Sequence, residues 1–96
     1  MLARVVNAQL KIPQIDAAAE TWRRYMDPYK TKGMKDAYLL VDRSNGKMLS
    51  VTIWNDSVAH EGYEKSEDRV NGQKDMAAFF EGTGQLSIMD VRVAIK

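Results

Sequence analysis

An Asn-Gly pair at Asn45-Gly46 separates two β-prone segments of this chain, residues 34–42 and 47–54. Asn-Gly flanked by such segments is the strongest short-range indication of a β-hairpin, because both central residues of the tight turn must tolerate positive φ. We therefore predict that the two segments are adjacent antiparallel strands. This hairpin limits the possible folds, since the rest of the chain must pack around a central strand pair.

The chain before the hairpin predicts a strand followed by a helix. Residues 2–12 are rich in Val, Leu and Ile with a rough period of two, which Arg4 interrupts on one face and Asn7 on the other. Pro13 suits the first turn of a helix. Apolar residues then recur at helical spacing, at Ile15, Ala18, Trp22 and Met26.

The chain after the hairpin predicts helical structure and a last strand. Asn55-Asp56-Ser57 supplies a helix cap, the polar stretch 70–73 predicts a break, and a second short helix is expected near residues 75–81. Residues 86–95 alternate well enough to form the last strand.

This element order, βαββαβ, predicts one ferredoxin-like α+β domain over residues 1–96. Such a domain has a four-stranded antiparallel sheet with its helices on one face. The charge-rich run 65–75 is typical of a solvent-exposed helix surface, and we assign it no site.

Composition excludes several classes of function. Fourteen Lys and Arg residues against thirteen Asp and Glu leave a formal net charge of +1, which disfavours binding to nucleic acid or to an anionic membrane. The chain has no cysteine and one histidine, so thiol chemistry, iron–sulfur clusters and metal sites with several imidazoles are excluded. No signal peptide or membrane span is recognisable, so we expect a cytoplasmic protein without a metal or cofactor.

Two other families share this element order. An RNA-recognition domain needs stacking aromatic residues inside its third strand, and residues 47–53 contain none. An amino-acid-sensing regulatory module binds its ligand through backbone groups at subunit interfaces, which leave little trace in a sequence. That second alternative stays open.

The residues after the hairpin carry a closer resemblance. The run 51–59, Val-Thr-Ile-Trp-Asn-Asp-Ser-Val-Ala, is an apolar strand that ends in tryptophan and leads into a capped helix, and Gly33-Met34 enters the strand before it. In this pattern the chain resembles the antibiotic biosynthesis monooxygenase domain of the dimeric α+β barrel superfamily. The resemblance implies a homodimer whose two sheets close into a barrel, with a pocket between the sheet and the helices of each subunit.

The resemblance also implies a ligand and a set of site residues. Cofactor-free members oxidise phenolic substrates that activate oxygen themselves once deprotonated, in an apolar pocket with a few polar groups. Asn7 and Tyr63 would act as catalytic residues by hydrogen-bonding the substrate oxygens. The remaining candidates for binding the small aromatic ligand are Trp22, Tyr38, Trp54, Gln73 and His60. Either tryptophan can instead be a core residue, and Arg4 can bind a carboxylate or emerge at the sheet edge.

Haem-degrading members suggest another function. They face haem with an asparagine on the first strand, which Asn7 matches, and with a tryptophan and a histidine at positions that here hold Tyr63 and Gln73. Glutamine is a poor iron ligand, and we expect His60 to lie close to solvent, so haem binding is disfavoured. The sequence leaves open whether the protein is a cofactor-independent monooxygenase of phenolic or quinol substrates or a non-catalytic ligand-binding or assembly domain.

Overall fold

The order of elements in the computed structural model, which describes residues 1–96, is the one that the sequence predicts. The strands are β1 (Leu2–Gln9), β2 (Met34–Val41), β3 (Lys47–Trp54) and β4 (Gln85–Asp90). The helices are α1 (Ile15–Met26), α2 (Ser57–Glu64) and α3 (Glu67–Ala77), with 3-10 turns at Ile12–Gln14 and Asp27–Thr31. All strand pairs are antiparallel and lie in the order β2-β3-β1-β4, which confirms the ferredoxin-like α+β fold.

The two faces of the sheet differ, because successive side chains of a strand point to opposite sides. On the helix side, Ala8, Met48 and Trp54 are buried in the core. On the other side, which we call the open face, no helix packs, and Lys96 near the end of the chain makes an ion pair with Asp36 of β2 at 3.8 Å. The apolar members of the open face include Val5, Tyr38, Leu40, Val51, Ile53 and Met89.

The hairpin forms at the predicted turn, although its Asn-Gly residues are not both at positive φ. Asp42 N–H donates to the Lys47 carbonyl at 2.8 Å, so residues 43–46 form the loop. Gly46 has φ of +78°, whereas Asn45 has a negative φ. The prediction of positive φ at both residues was therefore wrong. A Cβ at Gly46 would collide with the Leu10 carbonyl oxygen, so this position favours glycine sterically as well.

Strands β1 and β4 are shorter than predicted. The ladder of β1 ends at Gln9, and Ile12–Gln14 turns the chain into α1, so the predicted extension to residue 12 was wrong. In β4 the last pair joins Asp90 to Leu2, where β1 begins. Val91 N–H donates one more hydrogen bond, to the Met1 carbonyl at 3.1 Å, and residues 92–95 have no neighbouring strand with which to pair.

Helix α2 begins as predicted, whereas α3 does not. Asp56 caps α2 by accepting a hydrogen bond from the Ala59 N–H at 2.8 Å. The break predicted at residues 70–73 is absent, because α3 runs unbroken from a cap at Ser66. Gly72 is buried against Tyr25 of α1, and a Cβ there would lie 3.2 Å from the tyrosine ring. This close helix contact stabilises a segment whose intrinsic helix propensity is poor.

No helix of this fold has the length and apolar character needed to cross a membrane.

Candidate functional site

A cavity of about 340 Å³ lies between the helix side of the sheet and the helices. Half of its twenty lining residues are hydrophobic. Those that form its apolar walls include Val6, Trp22, Met26, Met48, Met76, Phe80 and Leu86. Leu86 on β4 is half exposed, and with residues 82–84 it belongs to the solvent-facing part of the lining. A pocket of this size and lining can hold a small aromatic molecule.

Trp22 forms part of the cavity wall, which is one of the two roles that the sequence left open for it. It comes from α1, and its indole Nε1 donates a hydrogen bond to Ser50 Oγ on β3 at 2.9 Å. This bond holds the ring in one orientation against the sheet. The face of a tryptophan held in this way provides a rigid stacking surface for an aromatic ligand.

Trp54 lies in the core beneath the cavity instead of in its wall. Its side chain is completely buried, and its indole Nε1 donates to Thr52 Oγ1 at 2.9 Å. It stacks on Tyr63 with ring centroids 5.2 Å apart, and Tyr29 meets both rings edge to face. The structure thus gives Trp54 the core role that the sequence left open.

Tyr63 lies between this aromatic core and the cavity. Burial raises the pKa of its phenol above the ordinary value of 10.0, so the hydroxyl remains protonated at neutral pH. The hydroxyl makes no hydrogen bond within the protein, whereas the hydroxyls of Tyr25 and Tyr29 donate to Asp75 and Asp68. Tyr63 is therefore a hydrogen-bond donor that is free to meet a ligand.

A charged cluster lies at one end of the cavity. Arg4 of β1 donates its Nε–H to Glu64 of α2, and the Arg69 Nε atom of α3 lies 3.7 Å from the other oxygen of the same carboxylate. Arg4 is largely buried, with 13% of its side chain exposed, and its guanidinium lies 5.2 Å from the centre of the Tyr63 ring. Burial would raise the pKa of the Glu64 carboxyl, but the hydrogen bond from Arg4 and the nearby positive charges outweigh it and lower that pKa. Glu64 is therefore ionised at neutral pH.

Gln73, a predicted site residue, lines the cavity beside this cluster. Its amide oxygen accepts a hydrogen bond from Arg69 Nη1 at 2.9 Å, so it orients the arginine. Arg69 belongs to the run 65–75 that the sequence assigned to solvent, and that assignment was wrong for this residue. Nothing in the local charge pattern distinguishes Arg69 from its exposed neighbours.

His60 is buried, contrary to the prediction that it lies close to solvent. Its Nε2 atom lies 3.4 Å from Glu64 Oε1 and has no hydrogen-bond partner. It packs against the edge of Trp54 and is not part of the cavity lining. With no imidazole in the lining and glutamine at the position of the haem ligand, these residues do not fit a haem site. No cluster of three or more His, Asp or Glu side chains is arranged to hold a metal ion.

The structure places two other predicted site residues away from the cavity. Asn7 is exposed and pairs with Leu49 and Gln85 on the open face, and Tyr38 is 55% exposed on the same face. The alternation of β1 explains the first of these positions, since Arg4, Val6 and Ala8 point to the helices and Asn7 therefore points away. Among the polar residues of β1, the cavity receives Arg4 instead of Asn7.

Comparisons with known proteins add information about the fold. No family model matches the sequence, and no curated protein matches it. Solved structures do match. An antibiotic biosynthesis monooxygenase superimposes with a TM-score of 0.77 at 19% identity, covering 95% of this chain and 98% of that one.

Two further structures agree with this match. A mutant of SnoaB, a cofactor-independent oxygenase from Streptomyces nogalater, matches with a TM-score of 0.78 at 11% identity, covering 98% of this chain and 95% of that one. Rv0793 from Mycobacterium tuberculosis matches with a TM-score of 0.80 at 9% identity, covering 99% and 98%. The predicted resemblance to antibiotic biosynthesis monooxygenases is thus confirmed at the level of the fold.

Proposed function

We propose that this protein binds a small phenolic or quinol-like aromatic molecule in the cavity and oxygenates it without a cofactor. The observation that carries the proposal is the unpartnered hydroxyl of Tyr63 in a cavity whose walls are largely apolar. The shared fold with a cofactor-independent oxygenase supports the same reaction class.

The reaction would convert an activated CH2 group of the substrate into a carbonyl group. The substrate loses a proton, its carbanion reduces O2, and one oxygen atom is retained while the other leaves as water with both hydrogens. The protein would bind the aromatic rings against Trp22 and exclude water through the apolar walls. Tyr63 would donate a hydrogen bond to the substrate oxygen on which negative charge develops, where a prearranged donor is most effective.

The test uses an anthrone-type substrate in oxygenated buffer, with oxygen uptake and the product spectrum as readouts. We expect one O2 consumed per carbonyl formed. Tyr63→Phe should reduce kcat by about 10²-fold, the usual effect of losing one such donor. Tyr38→Phe is the matched control, since it removes a tyrosine hydroxyl from the face of the sheet opposite to the cavity. Equal turnover by Tyr63→Phe and the parent protein would contradict the role of Tyr63.

A non-catalytic ligand-binding domain is the second candidate. It is favoured by the lack of an available general base, because Glu64 is the only carboxylate in the cavity lining and is already paired with two arginines. This candidate predicts saturable binding of the same aromatic molecules with no oxygen uptake above the rate of the free compound. Oxygen uptake coupled to product would exclude it.

We also propose that the open face forms a homodimer interface. Only 17 of the 96 residues are buried, which is a small core for an independent domain. The centre of the open face is apolar and carries no charge, so it suits an equally uncharged surface. A second copy related by a twofold axis presents such a surface automatically.

Light scattering on a sizing column tests the dimer. We expect the parent chain to elute at twice the monomer mass and Leu40→Lys, which places a charge on the open face, to elute as a folded monomer. Val58→Lys is the control, because Val58 is 76% exposed on α2 at the opposite side of the molecule. A monomeric parent protein, or a dimer unaffected by Leu40→Lys, would refute this interface.

A further inference from the structure

We infer that the ligand of the cavity carries a carboxylate, which Arg4 and Arg69 bind at the charged end of the cavity. The inference rests on the proposed function, because it names the class of aromatic molecule that the same cavity accepts.

The first argument is the balance of charge. The cavity lining contains two guanidinium groups and one carboxylate, so one positive charge is left uncompensated. The nearby carboxylates Asp68 and Asp75 lie outside the lining and accept hydrogen bonds from tyrosine hydroxyls. Arg4 is largely buried and shares its one carboxylate with Arg69, so a second anion beside the two guanidinium groups would be favourable.

The second argument is the supply of hydrogen-bond donors. Arg4 uses only Nε to bond Glu64, so both of its terminal nitrogens remain without a partner. Arg69 bonds Gln73 through Nη1 and the Glu64 carbonyl through Nε, which leaves Nη2 free. Free guanidinium N–H groups match the two oxygens of a carboxylate, and such charge-assisted bonds are about twice as strong as neutral ones.

The third argument is the arrangement along the sheet. The helix side of the sheet presents successive rows of paired residues along β1. The first row pairs Arg4 with Thr52, the next pairs Val6 with Ser50 and Leu86, and the third pairs Ala8 with Met48. At about 3.3 Å per residue, the charged row and the Met48 row lie about 13 Å apart. That length accommodates a fused aromatic body with an acid group at one end. The polar end of the ligand would face Arg4, and its apolar end would face the core side of α3.

The experiment compares 2-anthracenecarboxylate with its neutral isostere 2-anthracenecarboxamide, using fluorescence titration at pH 7.5 and low salt. We expect the carboxylate to bind at least tenfold more tightly to the parent protein. Arg4→Gln should reduce this preference to less than threefold while the affinity for the carboxamide stays within threefold. Arg23→Gln, which removes an exposed charge of α1, should keep the full preference.

Arg4 is largely buried, so Arg4→Gln can fail to fold. A second variant keeps the test valid in that case. Arg69 is more exposed, so Arg69→Gln should fold, as judged by circular dichroism, and lose part of the preference. Equal binding of the two probes to the parent protein would overturn this inference but leave the proposed function standing. Binding of neither probe would overturn both.

Discussion

Replacing Trp54 with phenylalanine distinguishes a core tryptophan from a ligand-binding one. The indole is completely buried, and its N–H is bonded to Thr52 Oγ1, whose side chain is itself almost fully buried. Trp54→Phe removes that donor, which costs about 1 kcal/mol, and the smaller ring leaves a void that costs about another 1 to 2 kcal/mol. We therefore expect the free energy of unfolding to fall by about 2 to 3 kcal/mol.

The assay is urea and thermal unfolding at one fixed protein concentration, because dimer formation would make the midpoint depend on concentration. For a domain of this size, each 1 kcal/mol corresponds to about 4 to 8 °C in Tm, so the expected decrease is about 8 to 24 °C. Trp22→Phe is the comparison variant. Its indole is only partly buried, so we expect a smaller loss of stability and a clear loss of ligand affinity.

Two results would refute this reasoning. If Trp54→Phe unfolds at the same urea concentration as the parent protein, the indole does not stabilise the core as argued. If it keeps its stability and loses ligand affinity, Trp54 belongs to the binding surface.

Three further predictions concern charge, backbone conformation and haem. Ionised Glu64 should stabilise the fold fully above its ordinary pKa of 4.5, and this stabilisation should be lost as pH falls through the lowered pKa. Glu64→Gln should therefore be less stable than the parent protein at pH 7. Unfolding measured across pH should show that this difference shrinks in acid. Gly33→Ala should lower the free energy of unfolding in urea by about 2 to 4 kcal/mol, because φ is +90° and the new Cβ would collide with Ala59. Gly82→Ala is the control. It has open space at φ +82° and should lower the free energy of unfolding by only about 1 kcal/mol. Titration with haemin should give the same Soret band with His60→Ala as with the parent protein, because His60 is not part of the cavity lining and should not bind the iron.

The elements that the sequence predicted correctly depend on nearby residues. The hairpin, the helix from Ile15 and the cap at Asp56 are each specified by residues a few positions apart. The error in α3 arose where a distant segment decides the outcome. Helix α3 continues through Gly72 because Tyr25, far away in the sequence, packs closely against it.

The candidate site was also predicted only in part. The sequence identified Trp22, Tyr63 and Gln73, all of which line the cavity, but it assigned Asn7 to a face that the structure leaves open.

The hairpin at Asn45-Gly46 and the order of strands and helices around it were determined by the sequence alone, because turn chemistry and hydrophobic periodicity are local properties. Only the tertiary structure decided which face of β1 receives the helices, and with it that Arg4 meets Glu64, sixty residues later in the chain. A period of two shows that the faces of a strand alternate. Which face is covered is decided by the packing of the helices on the completed sheet.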